Sequence, residues 1–273
     1  MTITSGEKEV AVREESEAPG EELALELRGV VKTYRGEPAV AGIDLSVPAG
    51  AFYGLVGPNG AGKTTTLSMI SGLIRPDRGD IRVFDVDARQ DPRAAKRLMG
   101  VLPDRMRTFD RLSGRQLLQY VGSLRGLPAD AVRERAGELA ETFELTSALG
   151  RAVSDYSTGM TKKLMLACAM IHAPRLLVLD EPFESVDPVS SQRVLDVLRA
   201  YVAGGGTVIL SGHSMQLIEQ MCTRISVLVT GQVLAEGTVD EVRGEMTLEQ
   251  RFIDLSGAGG EGGGLEWLHT SSV

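Results

Sequence analysis

Apolar and polar side chains alternate along residues 23–31 and 39–47, as on strands with one buried face, and the polar stretch 32–37 between them predicts the turn of an antiparallel layer. Residues 52–56 are apolar apart from Gly54 and read as a buried strand. Beyond them Leu67, Ile70, Leu73 and Ile74 fall at helical spacing, so a helix begins at about Gly62. After Pro76 and Gly79 the pattern predicts a strand at 81–84, a helix at 92–99 and a short strand at Val101-Leu102.

From about Asp104 to Asp155 the periodicity is helical only, with helices at 116–124 and 130–143, the second opened by Pro128. Alternation of strand and helix then resumes: a buried helix at 164–170, an apolar strand at 176–179, a helix at 191–203, a strand at 207–211 and a helix at 215–222. Residues 225–229 and 233–236 flank Thr230-Gly231 as a hairpin, and Thr238 with Glu241 forms a capping box for a final helix.

Composition narrows the use of such a chain. Its 273 residues are 42% hydrophobic, enough for one full α/β core with an inserted subdomain. The formal charge is −8, but residues 1–22 hold seven Glu against Lys8 and Arg13, for −5, so residues 23–273 carry only −3. A near-neutral body argues against a basic footprint, and no nucleic-acid partner is expected. Cys168 and Cys222 lack the paired spacing of a zinc site and read as buried thiols of a reducing compartment. No apolar run reaches the ~18 residues of a membrane span; the longest, 164–171, is stopped by His172, Pro174 and Arg175. Residues 1–22 read as a disordered acidic tail rather than a targeting segment. Residues 245–273 read as a Gly-rich, flexible extension, whose tip Leu265-Glu266-Trp267-Leu268 either docks or stays unstructured.

The chemistry is concentrated at Gly57-Pro58-Asn59-Gly60-Ala61-Gly62-Lys63-Thr64, followed by Thr65. A strand runs into a glycine-rich loop whose N–H groups can converge on a phosphate, and the positive end of the following helix faces the same anion. Lys63 is placed to reach the β- and γ-phosphates and the Thr64 hydroxyl to ligate Mg²⁺. Four apolar residues then lead into Asp180-Glu181, 117 residues after Lys63, as a parallel sheet presents acids at its carboxyl edge. There Asp180 would hold Mg²⁺ through its water shell and Glu181 would polarise an attacking water as general base. The fold class is α/β, a P-loop NTPase with a RecA-like core and an antiparallel β layer plus an inserted α-helical subdomain.

With these motifs in place, residues 25–242 resemble the ATP-binding subunits of ABC transporters, most like single-domain exporter-type subunits. The resemblance implies ATP as substrate, and it assigns further residues. Tyr34 matches the aromatic that stacks on adenine, Asp187 belongs to a D-loop (Ser185-Val186-Asp187-Pro188) that contacts the opposite subunit, and His213 matches a switch histidine for the γ-phosphate. For the family signature, Leu112-Ser113-Gly114-Arg115-Gln116 is closer in letters than Tyr156-Ser157-Thr158-Gly159-Met160. Both serines can cap a helix and attract an anion, so local physics does not separate them. Position does: Ser157 lies 23 residues before Asp180 and Ser113 lies 67 before it, which assigns Ser157 and Gly159 to the signature and leaves Ser113 an ordinary N-cap.

Two departures from the pattern stand out. Thr158 and Met160 replace signature Gly and Gln, and Asp104 stands where the family usually has a glutamine that touches Mg²⁺ and couples to the membrane partner. The resemblance divides the chain into an ATPase core (23–103 and 161–244) and a helical subdomain with the signature (104–160). It implies a head-to-tail dimer with a second ATPase subunit, homo or hetero, an integral membrane permease subunit, and a peripheral place on the cytoplasmic face of the membrane. Export is the favoured direction. The rival readings are a soluble ABC ATPase of repair, translation or assembly, and a weakly hydrolysing regulator, the latter suggested by Asp104.

Overall fold

A computed structural model describes residues 22–104 and 109–256. The acidic tail before Glu22, residues 105–108 and the tip at Leu265 to Leu268 lie outside the described residues. In chain order come β1 (Leu23–Tyr34), β2 (Glu37–Pro48), β3 (Phe52–Val56), α1 (Lys63–Ile70), β4 (Arg78–Val83), β5 (Val86–Asp87), α2 (Pro92–Leu98) and β6 (Met99–Leu102). Next are α3 (Gly114–Leu124), α4 (Ala129–Thr142), α5 (Thr158–Met170), β7 (Leu176–Leu179), α6 (Pro188–Ala203), β8 (Thr207–Gly212) and α7 (Met215–Met221). The chain closes with β9 (Arg224–Val229), β10 (Gln232–Thr238), α8 (Val239–Arg243) and α9 (Leu248–Ser256).

The described strands form two sheets. An antiparallel sheet runs β2-β1-β4-β5, and a second sheet runs β10-β9-β3-β8-β7-β6, parallel except for the antiparallel edge strand β10. The central strands are apolar because both faces are covered. On β3, Phe52 and Val56 join the cluster beneath the helices, whereas Tyr53 and Leu55 join the one under the antiparallel sheet. Leu177 and Leu179 of β7 follow the first pair, and Leu176 and Val178 the second. Helix α1 is wedged into the second cluster through Leu67, Met69 and Ile70. Helices α3 and α4 pack so closely at Gly122 that a Cβ there would meet both methyls of Val132, at 2.7 and 2.9 Å.

Several expected boundaries move, each for a local reason. The turn expected over 32–37 shrinks to Arg35-Gly36, both at positive φ, as the strands continue to Tyr34 and from Glu37. Helix α1 ends at Ile70, where Gly72 adopts φ +67, so Leu73 is left exposed beyond it. The strand expected at 81–84 starts earlier at Arg78 and stops at Val83, because Phe84 and Asp85 take positive φ to turn into β5. Helix α5 begins six residues before its expected start at 164, with Ser157 as N-cap. Helix α6 likewise starts earlier, at Pro188, whose fixed φ suits a first turn, with the Asp187 carboxylate accepting from Ser190 N at 2.9 Å.

The Thr238–Glu241 capping box is present, but α8 is not the last helix. Residues 248–256, part of the stretch expected to be a flexible extension, form α9, whose Thr247 and Gln250 exchange capping hydrogen bonds of 3.2 Å each. Leu248 is fully buried in the main core. Leu248→Ala is therefore expected to lower stability by about 2–5 kcal/mol in denaturant unfolding, whereas a loss below half a kilocalorie would make α9 a loosely attached appendage.

Candidate active site

The P-loop is shaped by what its backbone must avoid. Gly57 stands at the end of β3, where a Cβ would overlap the Leu228 carbonyl of β9. Gly62, at φ +105, caps α1, and a Cβ there would overlap the Ala39 carbonyl of β2. The β9–β10 turn holds the same loop: Gly231 N donates to Ala61 O at 2.9 Å, and Ala41 N of β2 donates to Gly231 O at 2.9 Å. Thus the loop is pinned to both sheets by main-chain contacts, and it lines a groove from Asn59 to Thr65. The Lys63 ammonium folds back over the loop, donating to Gly57 O at 2.7 Å and Pro58 O at 3.2 Å. Burial pulls it below the ordinary lysine range, against the opposing pull of Glu181 and Asp180.

Asp180 and Glu181 follow β7 and meet the end of β8 beside that loop. Asp180 is 5% exposed, and its Oδ1 accepts from Ser211 Oγ at 2.6 Å and from Thr64 Oγ1 at 3.3 Å. Burial raises this carboxyl above its usual range, and the two hydroxyl hydrogen bonds counter the rise. Glu181 adopts φ +47, a strained conformation for a non-glycine residue. Its N–H donates to Ser211 Oγ at 2.9 Å, its carbonyl accepts from Lys162 Nζ at 2.6 Å, and its Oε2 lies 3.0 Å from His213 Nδ1.

These residues line one open groove of ≈ 490 Å³, from Asn59 to Thr65 along the P-loop and across to Asp104, Glu181, Glu184 and His213. The other expected site residues stand elsewhere. Ser157 is exposed and caps α5 by accepting from Met160 N at 3.2 Å. Gly159 faces the residues before α6: a Cβ on it would sit 3.7 Å from Asp187 Oδ2. Asp187, held below the usual carboxylate range by the Ser190 amide, therefore flanks the α5 start within the same chain. Tyr34 is 47% exposed at the end of β1, with the Lys32 ammonium 5.6 Å from its ring centre. Ser113 makes a complete capping box with Gln116.

Sequence reasoning passed over Ser211 and Lys162. The first lay in the Ser211-Gly212-His213 stretch, but only a structure reveals that its hydroxyl joins Asp180 to Glu181. Nothing in local pattern marks Lys162, which reaches Glu181 from a different helix. As for a metal, Thr64 Oγ1 and Asp180 Oδ1 offer two hard oxygen ligands side by side. Among the described residues no group of three or more His, Cys, Asp or Glu is arranged to enclose an ion. That donor set fits Mg²⁺, which keeps most of its waters and shares substrate phosphates.

A parallel sheet with a pinned P-loop, facing two consecutive acids at the end of β7, defines a P-loop nucleotide hydrolase. Residues 40–184 match the family profile described as ABC transporter, and the chain belongs to that family as an ATP-binding, ATP-hydrolysing subunit. It is 41% identical over 223 residues to the daunorubicin/doxorubicin resistance ATP-binding protein DrrA of Streptomyces peucetius, covering 82% of this chain and 68% of that protein. To the linearmycin resistance ATP-binding protein LnrL of Bacillus subtilis it is 34% identical, covering 78% and 69%. A solved ATP-binding subunit of an ABC transporter superposes with a TM-score of 0.80 at 28% identity, over 85% of this chain and 99% of that one. No helix among the described residues is long and apolar enough to cross a membrane.

The Ser211 bridge gives a test that reads stability and turnover together. Ser211→Ala removes the partner of both the Glu181 amide and an Asp180 oxygen, and is expected to cost about 1–3 kcal/mol in denaturant unfolding together with lowered ATPase turnover. Wild-type stability with wild-type turnover would mean the bridge is idle.

Proposed function

We propose that this subunit is the ATP-driven motor of an exporter whose membrane-spanning part is a separate chain. The observation that carries the reading is the groove that gathers the P-loop, Asp104, Glu181 and His213 in one chain while leaving the Ser157 helix start and Asp187 exposed outside it. Such a half-site calls for a second ATPase subunit, paired head to tail. In that pair the α5 start of this chain, with Ser157 and Gly159, closes on the nucleotide held by its partner as an added anion site. Asp187 lies at the same seam, and Tyr34 stacks on the adenine. The resistance ATP-binding proteins among its relatives support export.

Within the groove, loop amides and Lys63 hold the phosphates, and Lys63 exchanges its bonds to Gly57 and Pro58 for phosphate oxygens as it does so. Thr64 and Asp180 would hold Mg²⁺, with Asp104 beside them, and the ion would neutralise phosphate charge. Glu181 orients the attacking water and takes its proton, steadied by His213. Hydrolysis removes the γ-phosphate that joins the two subunits, so the pair reopens. The helical part, α3 and α4, is the proposed grip for a permease segment, with the subunit peripheral on the cytoplasmic face of the membrane.

Two experiments examine this. Ser157→Arg is expected to abolish hydrolysis, while Ser113→Ala costs about 1 kcal/mol of stability and leaves turnover intact; equal loss from both would sink the signature assignment. Glu181→Gln is expected to lower kcat by about 10²–10⁴-fold and to trap a Mg-ATP dimer. When tagged and extracted from membranes in mild detergent, that dimer should carry a stoichiometric multi-span protein. A soluble partner, or none, would overturn the transport reading.

A further inference from the structure

Lys162 is the most constrained side chain that the nucleotide chemistry leaves without a task. It lies on α5, five residues after the N-cap Ser157, and is 8% exposed. Its ammonium donates to the Glu181 carbonyl at 2.6 Å. Burying an ammonium against a carbonyl alone is costly, because lost hydration of the charge exceeds one such hydrogen bond. The carboxylates of Glu184, Asp104, Glu181 and Asp180 offset part of that cost, and burial still holds the ammonium below the ordinary lysine range. The ammonium that does line the groove, Lys63, is already committed to Gly57 and Pro58.

The position of that bond matters as much as its strength. Glu181 is held at φ +47, and such strain persists only where surrounding contacts over-determine it. Ser211 fixes the amide side of the residue, and on the carbonyl side Lys162 makes the shorter of two bonds, the other coming from the Glu184 amide at 3.2 Å. Without Lys162 the carbonyl keeps only the longer bond from the Glu184 amide, at 3.2 Å against 2.6 Å, and the carboxylate loses the tighter of the two ties that aim it toward the groove. Asp104 adds a half-buried carboxylate to the same groove, where the family pattern has a neutral glutamine. A neutral residue at 162 would remove an ammonium on which the Asp104 charge acts.

We infer that Lys162 is a positioning residue for hydrolysis, fixing the Glu181 backbone from the signature helix of the same chain and offsetting the charge of Asp104. The inference rests on the reading of Glu181 as general base. Lys162→Met keeps the unbranched stem of the side chain and removes donor and charge. It should lower kcat about tenfold or more with KM for ATP changed less than about twofold, since aim rather than binding is lost. Lys162→Arg, which retains both donor and charge, should recover most of that loss. Asp104→Gln should raise kcat by about threefold more in the Lys162→Met background than in the wild-type background, which is the coupling a double-mutant cycle reads.

An arginine variant no better than methionine would overturn the proposal, as would a change confined to KM or an Asp104→Gln effect that is equal in both backgrounds. Circular dichroism melting checks the fold of each variant. If Lys162→Met does not fold, Lys162→Gln takes its place in the same cycle. Glu181→Gln assayed in parallel separates the two readings. If it stays active, the general-base reading fails; if it is inactive and arginine does not rescue, only the role of Lys162 falls.

Discussion

Two glycines bring the phosphate-binding loop into backbone contact with different sheets, and the rest of the arrangement follows from that clearance. Gly57 meets the carbonyl of Leu228 in the parallel sheet, and Gly62 meets the carbonyl of Ala39 in the antiparallel one. No side chain fits at either point, so the distance between the sheets and the path of the loop are set together. The Thr230-Gly231 turn completes the clamp by bonding to Ala61 and Ala41 at once, with Gly231 at φ +77. A loop pinned in this way keeps its amides oriented before any phosphate arrives, so little ordering is left for binding to accomplish. The antiparallel layer is therefore part of the site, although Ala39 is its single residue in the lining of the groove.

The second constraint is electrostatic. Asp104, Asp180, Glu181 and Glu184 share a small volume with Lys63 and Lys162. A triphosphate adds further negative charge to this set, and the chain counters it with helix N-termini, loop amides and two ammonium groups rather than with a surplus of cations. This is consistent with a net charge of only −3 over residues 23–273, in which no basic surface is needed. The price of gathering carboxylates is that each must be held by name: Asp180 by Ser211 and Thr64, Glu181 by Ser211, Lys162 and His213.

Much of this was legible in the sequence, and the failures are physical. The strands of the central sheet were readable because β3, β7 and β8 are apolar on both faces, and the P-loop because its glycines, lysine and threonine must stand at fixed spacing. The first turns of α5 were missed because Thr158, Gly159 and Thr161 carry no apolar rhythm; that end is fixed by the Ser157 cap. The start of α9 did carry a signal, Thr247 with Gln250, but it sits at the head of a glycine-rich stretch whose composition outweighed it. Ser211 and Lys162 were beyond reach for a different reason. Their roles arise from contacts 30 and 19 residues away in sequence, which only the sheet order and helix packing create.

Helix α5 then joins two events that sequence presents as separate motifs. Its N-terminus is capped by Ser157 and faces outward beside Asp187, where an approaching subunit would meet it. Its second turn carries Lys162, which grips the strained Glu181 of the same chain. A helix is stiff over five residues, so displacement of its exposed end is felt at the Glu181 carbonyl within one and a half turns. Closure on a partner's nucleotide and alignment of the chain's own acid would thus be one movement read at two ends of the same rod. Ser211 holds the opposite side of Glu181 from β8, whose hydrogen bonds to β3 anchor it to the sheet. Glu181 is thus held between β8, anchored in the sheet, and α5, whose exposed start carries Ser157.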